Sequence, residues 1–123
     1  MSEIKLKITT PERVVVNDCF NEILLPGESG DFQLLHNHEN FASKLRVGVI
    51  SVNSNSSLIP SFVISDAFAT FNQDKNTCEV TTEYALTMAE TKKLNKNDVA
   101  KEIENSFFGP RKKVYQFVLS TLE

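Results

Sequence analysis

Short apolar runs alternate with clusters of turn-forming residues through the first part of this 123-residue chain, and this spacing limits its fold more than any other feature. At the start, Ile4, Leu6 and Ile8 alternate with polar residues, which is the period of a half-buried β-strand. Turn clusters then recur at residues 26–31, 37–40, 53–57 and 72–76. A series of about nine short strands with such spacing is typical of a β-sandwich or a flattened barrel.

The predicted strands have approximate bounds that follow from the apolar and β-branched runs. They cover residues 4–9, 13–20, 22–25, 30–35, 41–45, 49–52, 58–65, 67–71 and 77–83. Pro60 falls inside one of them and cannot donate to a strand ladder, which predicts a sheet edge or a β-bulge at that position.

Near Thr87 the period changes from that of a strand to that of a helix. Apolar residues at 94, 99, 103 and 107 predict an amphipathic helix with Asn95 as its N-cap. Gly109 and Pro110 end it and begin a second helix, whose apolar stripe is Val114, Phe117, Val118 and Leu122. Helices of about twelve residues are marginal in isolation, so we expect both to pack against each other, the sandwich or another chain.

These patterns predict an all-β N-terminal sandwich of about nine or ten strands followed by a short C-terminal α-helical hairpin. The predicted division places the sandwich domain at residues 1–86 and the two-helix segment at residues 87–123.

Composition narrows the classes of function. With 13 basic and 16 acidic residues the formal net charge is −3, and nucleic-acid binding, which needs clustered positive charge, is disfavoured. The N-terminus lacks an apolar signal core, and no apolar run reaches the roughly 20 residues of a membrane helix. We therefore expect a soluble chain that is monomeric in isolation and meets a membrane only through a partner.

Two histidines and two cysteines are the candidates for metal or thiol chemistry. His36 and His38 would share one face of a strand, where Asp31 or Glu39 could complete a metal site. The segment has the composition of a turn, however, which favours surface histidines without a metal.

Thiol catalysis would require one of the histidines to lie beside Cys19 or Cys78. Cys78 falls in an alternating apolar run, so a core position is the simpler interpretation, and nothing in the sequence places either thiol near an imidazole.

Gly27 and Gly30 have the spacing of part of a phosphate-binding loop, but Asp31, Phe32 and a strand follow instead of a lysine and a helix. We interpret both glycines as turn residues that need a positive φ. The sequence thus predicts no catalytic residue, no metal ligand and no cofactor-binding residue.

Several motifs in sequence order resemble those of one family. Residues 6–15 read Leu-Lys-Ile-Thr-Thr-Pro-Glu-Arg-Val-Val, and residues 25–32 read Leu-Pro-Gly-Glu-Ser-Gly-Asp-Phe. The run at 32–40, in which His38 aligns, and the runs at 45–50 and 64–69 continue the likeness. Together they resemble the epsilon subunit of bacterial F-type ATP synthases over roughly residues 4–90.

The resemblance implies a non-catalytic subunit of the central stalk, or rotor, of a proton-translocating ATP synthase. Such a subunit would couple the ring of c subunits to the gamma subunit at the cytoplasmic face of the bacterial inner membrane, as a peripheral component. The c-ring contacts that it implies are Glu28, Ser29, Gly30 and Asp31, and the gamma-subunit contacts are Phe41, Ser65 and Phe68.

The C-terminal helices regulate ATP hydrolysis in some members of the family, which makes regulation a second hypothesis for this chain. The Asp-x-x-Arg-Ala motif with which some members bind ATP is not reproduced at residues 98–102, so we expect no bound nucleotide. The alternative to the family interpretation is an unrelated small β-sandwich binding module, which would need a concave pocket with convergent polar groups.

Overall fold

A computed structural model describes residues 3–53, 57–93 and 109–122, and within them it contains ten strands and two helices. The strands are β1 (Ile4–Thr9), β2 (Val14–Phe20), β3 (Glu22–Leu25), β4 (Phe32–Leu34), β5 (Phe41–Leu45), β6 (Gly48–Asn53), β7 (Ile59–Ile64), β8 (Ala67–Asn72), β9 (Thr77–Thr82) and β10 (Ala85–Thr87). The helices are α1 (Met88–Lys92) and α2 (Pro110–Leu122).

The strands form two five-stranded sheets, with the orders β2-β1-β9-β8-β5 and β10-β7-β6-β3-β4. All pairings are antiparallel except that of β1 with β9. An isolated bridge between Gly27 and Leu45 links the turn between β3 and β4 to β5, the edge strand of the other sheet. The predicted sandwich followed by a short helical region is confirmed.

The core lies between the sheets and is built from the inward residues of alternating strands. In β1, Ile4, Leu6 and Ile8 have no exposed surface, as the alternation in the sequence predicts. The same cluster includes Cys78 and Val80 of the neighbouring strand β9 and inward residues of the facing sheet, among them Ile23, Leu25, Ile50 and Ile64. Burial of this set against water is the main stabilising contribution to the domain.

The nine predicted strands are all present, with bounds that differ by at most a few residues. Pro60 lies where the register of β6 and β7 shifts, because Ile50 pairs with Phe62 whereas Ser51 pairs with Pro60. The β-bulge that proline predicted is therefore confirmed. The tenth strand, β10, was not predicted, because its three residues are too few to show alternation.

Helix α1 starts directly after β10 and is only five residues long. The Thr87 side chain accepts a hydrogen bond from the Glu90 amide (3.1 Å), and the Glu90 carboxylate accepts one from the Thr87 amide (2.9 Å), which is a capping box. The helix predicted over 94–107 and its Asn95 cap lie outside the described residues. The predicted domain division between 86 and 87 falls within β10 and stays a prediction.

Helix α2 confirms the predicted second helix and packs on the sandwich. Val114 and Val118 of the predicted stripe are buried with Tyr115 against Val63 and Leu86, and Phe117 is partly buried beside them. The side chain of Leu122 lies outside the described part of the chain. The stripe of α2 is therefore covered by its own sandwich in this structure.

Glu90 also joins α1 to the turn between β1 and β2, where the Arg13 guanidinium lies 2.6 Å from its carboxylate. This hydrogen bond is the main reason that the pKa of Glu90 is lowered; the Thr87 amide lowers it further, and burial opposes both. A carboxyl whose pKa is depressed by folding stabilises the fold above its unfolded pKa, and loses that contribution as the pH falls through the folded pKa.

Replacing Glu90 by glutamine is expected to lower the free energy of unfolding at pH 7 by about 0.5–1 kcal/mol, since water screens a pair this exposed. Below the lowered pKa of Glu90 the difference from the unmodified chain should disappear. Urea unfolding at pH 7 and at a pH below the folded pKa of Glu90 measures both values. Glu79→Gln on the exposed face of β9 is the control, and an equal loss at both pH values would contradict the assignment.

Candidate functional site

The turn between β3 and β4 carries the four residues predicted to meet the c ring, and it depends on two glycines for different reasons. Gly30 has a φ of 143°, as predicted for a turn glycine. Gly27 does not have a positive φ, which corrects the prediction for that position. A Cβ at Gly27 would instead lie 2.5 Å from the Gly30 carbonyl oxygen and 2.9 Å from the Phe32 ring. Position 27 thus requires glycine, because the Gly30 carbonyl and the Phe32 ring leave no room there for a side chain.

Arg46 holds this turn in place. Its Nη1 donates to the Gly27 carbonyl (2.6 Å), its Nη2 forms an ion pair with Asp31, and its backbone amide donates to the Pro26 carbonyl (2.9 Å). Both charged side chains are about half exposed. Asp31 therefore braces the turn through Arg46, while Glu28 and Ser29 are presented to solvent beside it.

Phe41, predicted to contact the gamma subunit, is half-buried at the start of β5. Its ring lies edge-on to Phe32 (5.3 Å between centroids) and stacks on Phe71 (6.2 Å). These contacts place Phe41 on the inward face of its sheet, where it packs against the core.

Ser65, also predicted to contact gamma, is fully buried. Its hydroxyl lies 2.6 Å from the Thr82 hydroxyl and accepts a hydrogen bond from the Tyr84 amide (3.2 Å). Because these bonds are internal and the side chain has no exposed surface, Ser65 presents nothing to a partner in this structure. It joins the β7–β8 turn to the β9–β10 turn instead.

Phe68 differs from the other two predicted gamma contacts because its side chain faces outward and is 47% exposed. It lies beside a shallow depression of about 390 Å³ that also includes Glu28 of the β3–β4 turn. The structure therefore brings one predicted c-ring residue and one predicted gamma residue to the same surface, which we call the end depression. Its other lining residues include Lys44, Asp66, Thr81 and Glu83.

Sequence reasoning missed Lys44, Asp66 and Glu83, because they come from different strands and turns. Strand pairing brings them together: Phe68 lies opposite Lys44 on β5 and opposite Thr81 on β9. The signal that was available in the sequence was the acidic character of Asp66 and Glu83 at two predicted strand ends.

The two histidines follow β4 in a turn and do not share a strand face. His38 packs edge-on against Phe41 and Phe71, with centroid distances of 5.4 and 6.1 Å, whereas His36 is exposed. Within residues 3–53, 57–93 and 109–122, no group of three or more His, Cys, Asp or Glu side chains is arranged to hold a metal ion.

The cysteines lie on opposite faces of their sheet, Cys19 exposed on β2 and Cys78 buried in the core. Burial raises the pKa of Cys78 to about 12, so its thiol is protonated near neutral pH. A protonated thiol is a poor nucleophile, and the thiol-catalyst hypothesis finds no support at this position.

Neither helix in the described ranges has the length and apolar character that crossing a lipid bilayer would require.

The geometry defines a β-sandwich with a braced acidic turn, an end depression and a C-terminal helix docked on one sheet. The family described as "ATP synthase, Delta/Epsilon chain, beta-sandwich domain" matches residues 3–87, which is the whole sandwich. The chain belongs to this family.

Bacterial relatives support the same assignment. The "ATP synthase epsilon chain" of Aliarcobacter butzleri (strain RM4018) is 32% identical over 109 residues, covering 86% of this chain and 85% of the relative. That of Sulfurovum sp. (strain NBC37-1) is 29% identical over 106 residues, covering 86% of this chain and 78% of the relative.

Solved structures show the same fold. A chain of the Euglena gracilis mitochondrial ATP synthase structure (OSCP/F1/c-ring) superposes with a TM-score of 0.72 at 18% identity, covering 100% of this chain and 83% of that one. A chain of the Tetrahymena thermophila mitochondrial ATP synthase central stalk/c-ring structure gives 0.62 at 12% identity, covering 98% and 96%. The family match removes the alternative of an unrelated binding module.

Proposed function

We propose that this chain is a non-catalytic epsilon-type subunit in the central stalk of a bacterial F-type ATP synthase, where it couples the ring of c subunits to the gamma subunit. The observation that carries the proposal is the family match over the complete sandwich, residues 3–87. As a peripheral subunit it would act at the cytoplasmic face of the inner membrane, and its contact with the membrane would be indirect.

The proposed mechanism is mechanical, because a coupling subunit must transmit torque with little deformation. The buried inward side chains of the two sheets form one continuous core, and close-packed interiors are stiff. Arg46 adds a cross-brace between the β3–β4 turn and the end of β5, so the proposed ring-facing turn moves with the sandwich.

For the c ring we propose contact through Glu28, Ser29, Gly30 and Asp31, with Glu28 as an exposed charge and Asp31 as the partner of Arg46 that holds the turn. For gamma we propose Phe68 as the direct contact, because an exposed aromatic ring beside a depression has the character of an interface anchor. Phe41 would support Phe32 behind the turn, and Ser65 would support the turns that border the depression.

Regulation of ATP hydrolysis by the C-terminal helices is a second proposal. The observation that favours it is the docking of α2 on Val63 and Leu86 through a short stripe of side chains. A thirteen-residue helix has little stability of its own, so its position depends on those contacts.

Co-purification with the gamma subunit of the same organism tests the proposed coupling role. Phe68→Ala is expected to weaken gamma binding roughly thirtyfold, since losing an interface anchor costs about 2 kcal/mol. Glu28→Lys should weaken attachment to the assembled c ring about tenfold, because it reverses an exposed charge of the proposed contact.

The matched control for the charge reversal is Asp74→Lys, in the exposed turn between β8 and β9 at the other end of the sandwich. It should leave both interactions unchanged. If the correctly folded unmodified chain does not bind gamma, the proposed function fails. If it binds but Phe68→Ala binds equally well, only the contact assignment fails.

A further inference from the structure

The two turns that border the end depression also hold helix α2. Asp66 in the β7–β8 turn lines the depression, and its carboxylate forms an ion pair with Lys113 Nζ of α2. In the β9–β10 turn, Glu83 lines the depression, and the hydroxyl of its neighbour Tyr84 lies 3.2 Å from the Tyr115 hydroxyl of α2. Each turn thus faces the depression on one side and the helix on the other.

Buried hydrogen bonds lock these turns together. The Thr82 hydroxyl donates to the Asp66 carbonyl (3.1 Å), the Tyr84 amide donates to the Ser65 hydroxyl (3.2 Å), and the Ser65 amide donates to the Tyr84 carbonyl (3.0 Å). Because Ser65 and Thr82 are buried, breaking these bonds would leave polar groups unpaired. We therefore expect that a displacement of one turn also displaces the other.

We propose that Asp66 is a shared acceptor that couples occupancy of the end depression to the docking of α2. The inference rests on the proposed function, in which gamma contacts Phe68 and so reaches the depression beside it. Among the described residues that line the depression, Glu28, Asp66 and Glu83 are acidic and Lys44 is basic, so a basic group of the partner is favoured there. Such a group draws the Asp66 carboxylate away from Lys113, and α2 is held less tightly.

The coupling is reciprocal, since two binding events that compete for one carboxylate must weaken each other by the same factor. Its size is limited because the Lys113 and Asp66 side chains are 53% and 58% exposed, where an ion pair is worth a few-fold in an equilibrium constant. Occupancy of the depression would therefore shift the docking equilibrium of α2 by a few-fold and would not undock the helix completely.

Hydrogen exchange of the α2 amides in the full chain measures the helix side of this coupling. Asp66→Asn and Lys113→Met each remove the ion pair, so each should speed exchange about two- to fivefold, and the double variant should add nothing further. Lys75→Met, which removes an exposed lysine from the turn between β8 and β9, is the control and should leave exchange unchanged. Unchanged exchange in both single variants would overturn the proposal.

Gamma affinity measures the partner side, where the same two variants have opposite expected effects. Lys113→Met frees the carboxylate and should strengthen gamma binding about threefold, whereas Asp66→Asn removes it and should weaken binding by a similar factor. Effects in the same direction would contradict a shared acceptor.

A third experiment measures exchange of the α2 amides without the gamma subunit. It therefore separates failure of the proposed coupling from failure of the proposed function. In a Cys19→Ser chain, Phe68→Cys supplies one accessible thiol at the depression, because Cys78 is buried. Attaching a trimethylammonium group should speed α2 exchange, and attaching a neutral hydroxyethyl group should not. Equal exchange with both labels would overturn the coupling even if gamma binds the unmodified chain.

Discussion

Replacing Leu6 by alanine is expected to destabilise the chain by about 3–4 kcal/mol, the largest effect that we predict for a single substitution. Leu6 has no exposed surface and lies in the middle of β1, opposite Asp18 on β2 and Cys78 on β9. Its removal leaves a cavity where two neighbouring strands prevent the backbone from closing in. Urea unfolding should show a lower midpoint with an unchanged m-value.

The matched control is Lys5→Ala, the adjacent position on the same strand, whose side chain is exposed. It should change the free energy of unfolding by no more than about 0.5 kcal/mol. A loss below about 1 kcal/mol for Leu6→Ala would mean that the inward face of β1 has been assigned wrongly.

Replacing Gly27 by alanine is expected to cost about 2–3 kcal/mol, although it adds only one methyl group. The new Cβ would lie 2.5 Å from the Gly30 carbonyl oxygen, which belongs to the backbone of a turn that Arg46 fixes from the other side. Relief therefore requires the turn to open, which would displace Glu28 as well as lower stability. Urea unfolding measures the first effect, and binding to the c ring measures the second.

Ser29→Ala is the control, because Ser29 lies in the same turn but is exposed. It distinguishes the steric clash at position 27 from destabilisation by any substitution in this turn. It should leave stability within about 0.5 kcal/mol of the unmodified chain. Equal destabilisation by both substitutions would show that the close approach at Gly27 is not the cause.

The strands could be predicted because burial on one face of a sheet imposes a period of two on the sequence, as in β1 and β9. The same reasoning missed β10 and α1, since elements of three and five residues do not complete a recognisable period. One local signal for α1 was present: Thr87 and Glu90 have the spacing of a capping box, and the structure confirms both of its hydrogen bonds.

The candidate site was predicted less completely. The turn at residues 26–31 could be recognised locally, because glycine, proline and acidic residues cluster there. Ser65 was predicted as a gamma-subunit contact from the family resemblance, and the structure shows its side chain buried with hydrogen bonds to Thr82 and Tyr84. Such internal partners are distant in sequence and cannot be identified from the serine itself.

The sequence by itself determined nine of the ten strands in the described residues, which of their faces are apolar, and that the turn between β3 and β4 needs glycine. Only the tertiary structure decided that Glu28, Asp66 and Phe68 border one depression and that Asp66 also reaches Lys113 of α2. The physical reason is that alternation fixes the orientation of a side chain within its own strand, whereas its neighbours depend on strand order and register. Those follow from the packing of the two sheets as a whole.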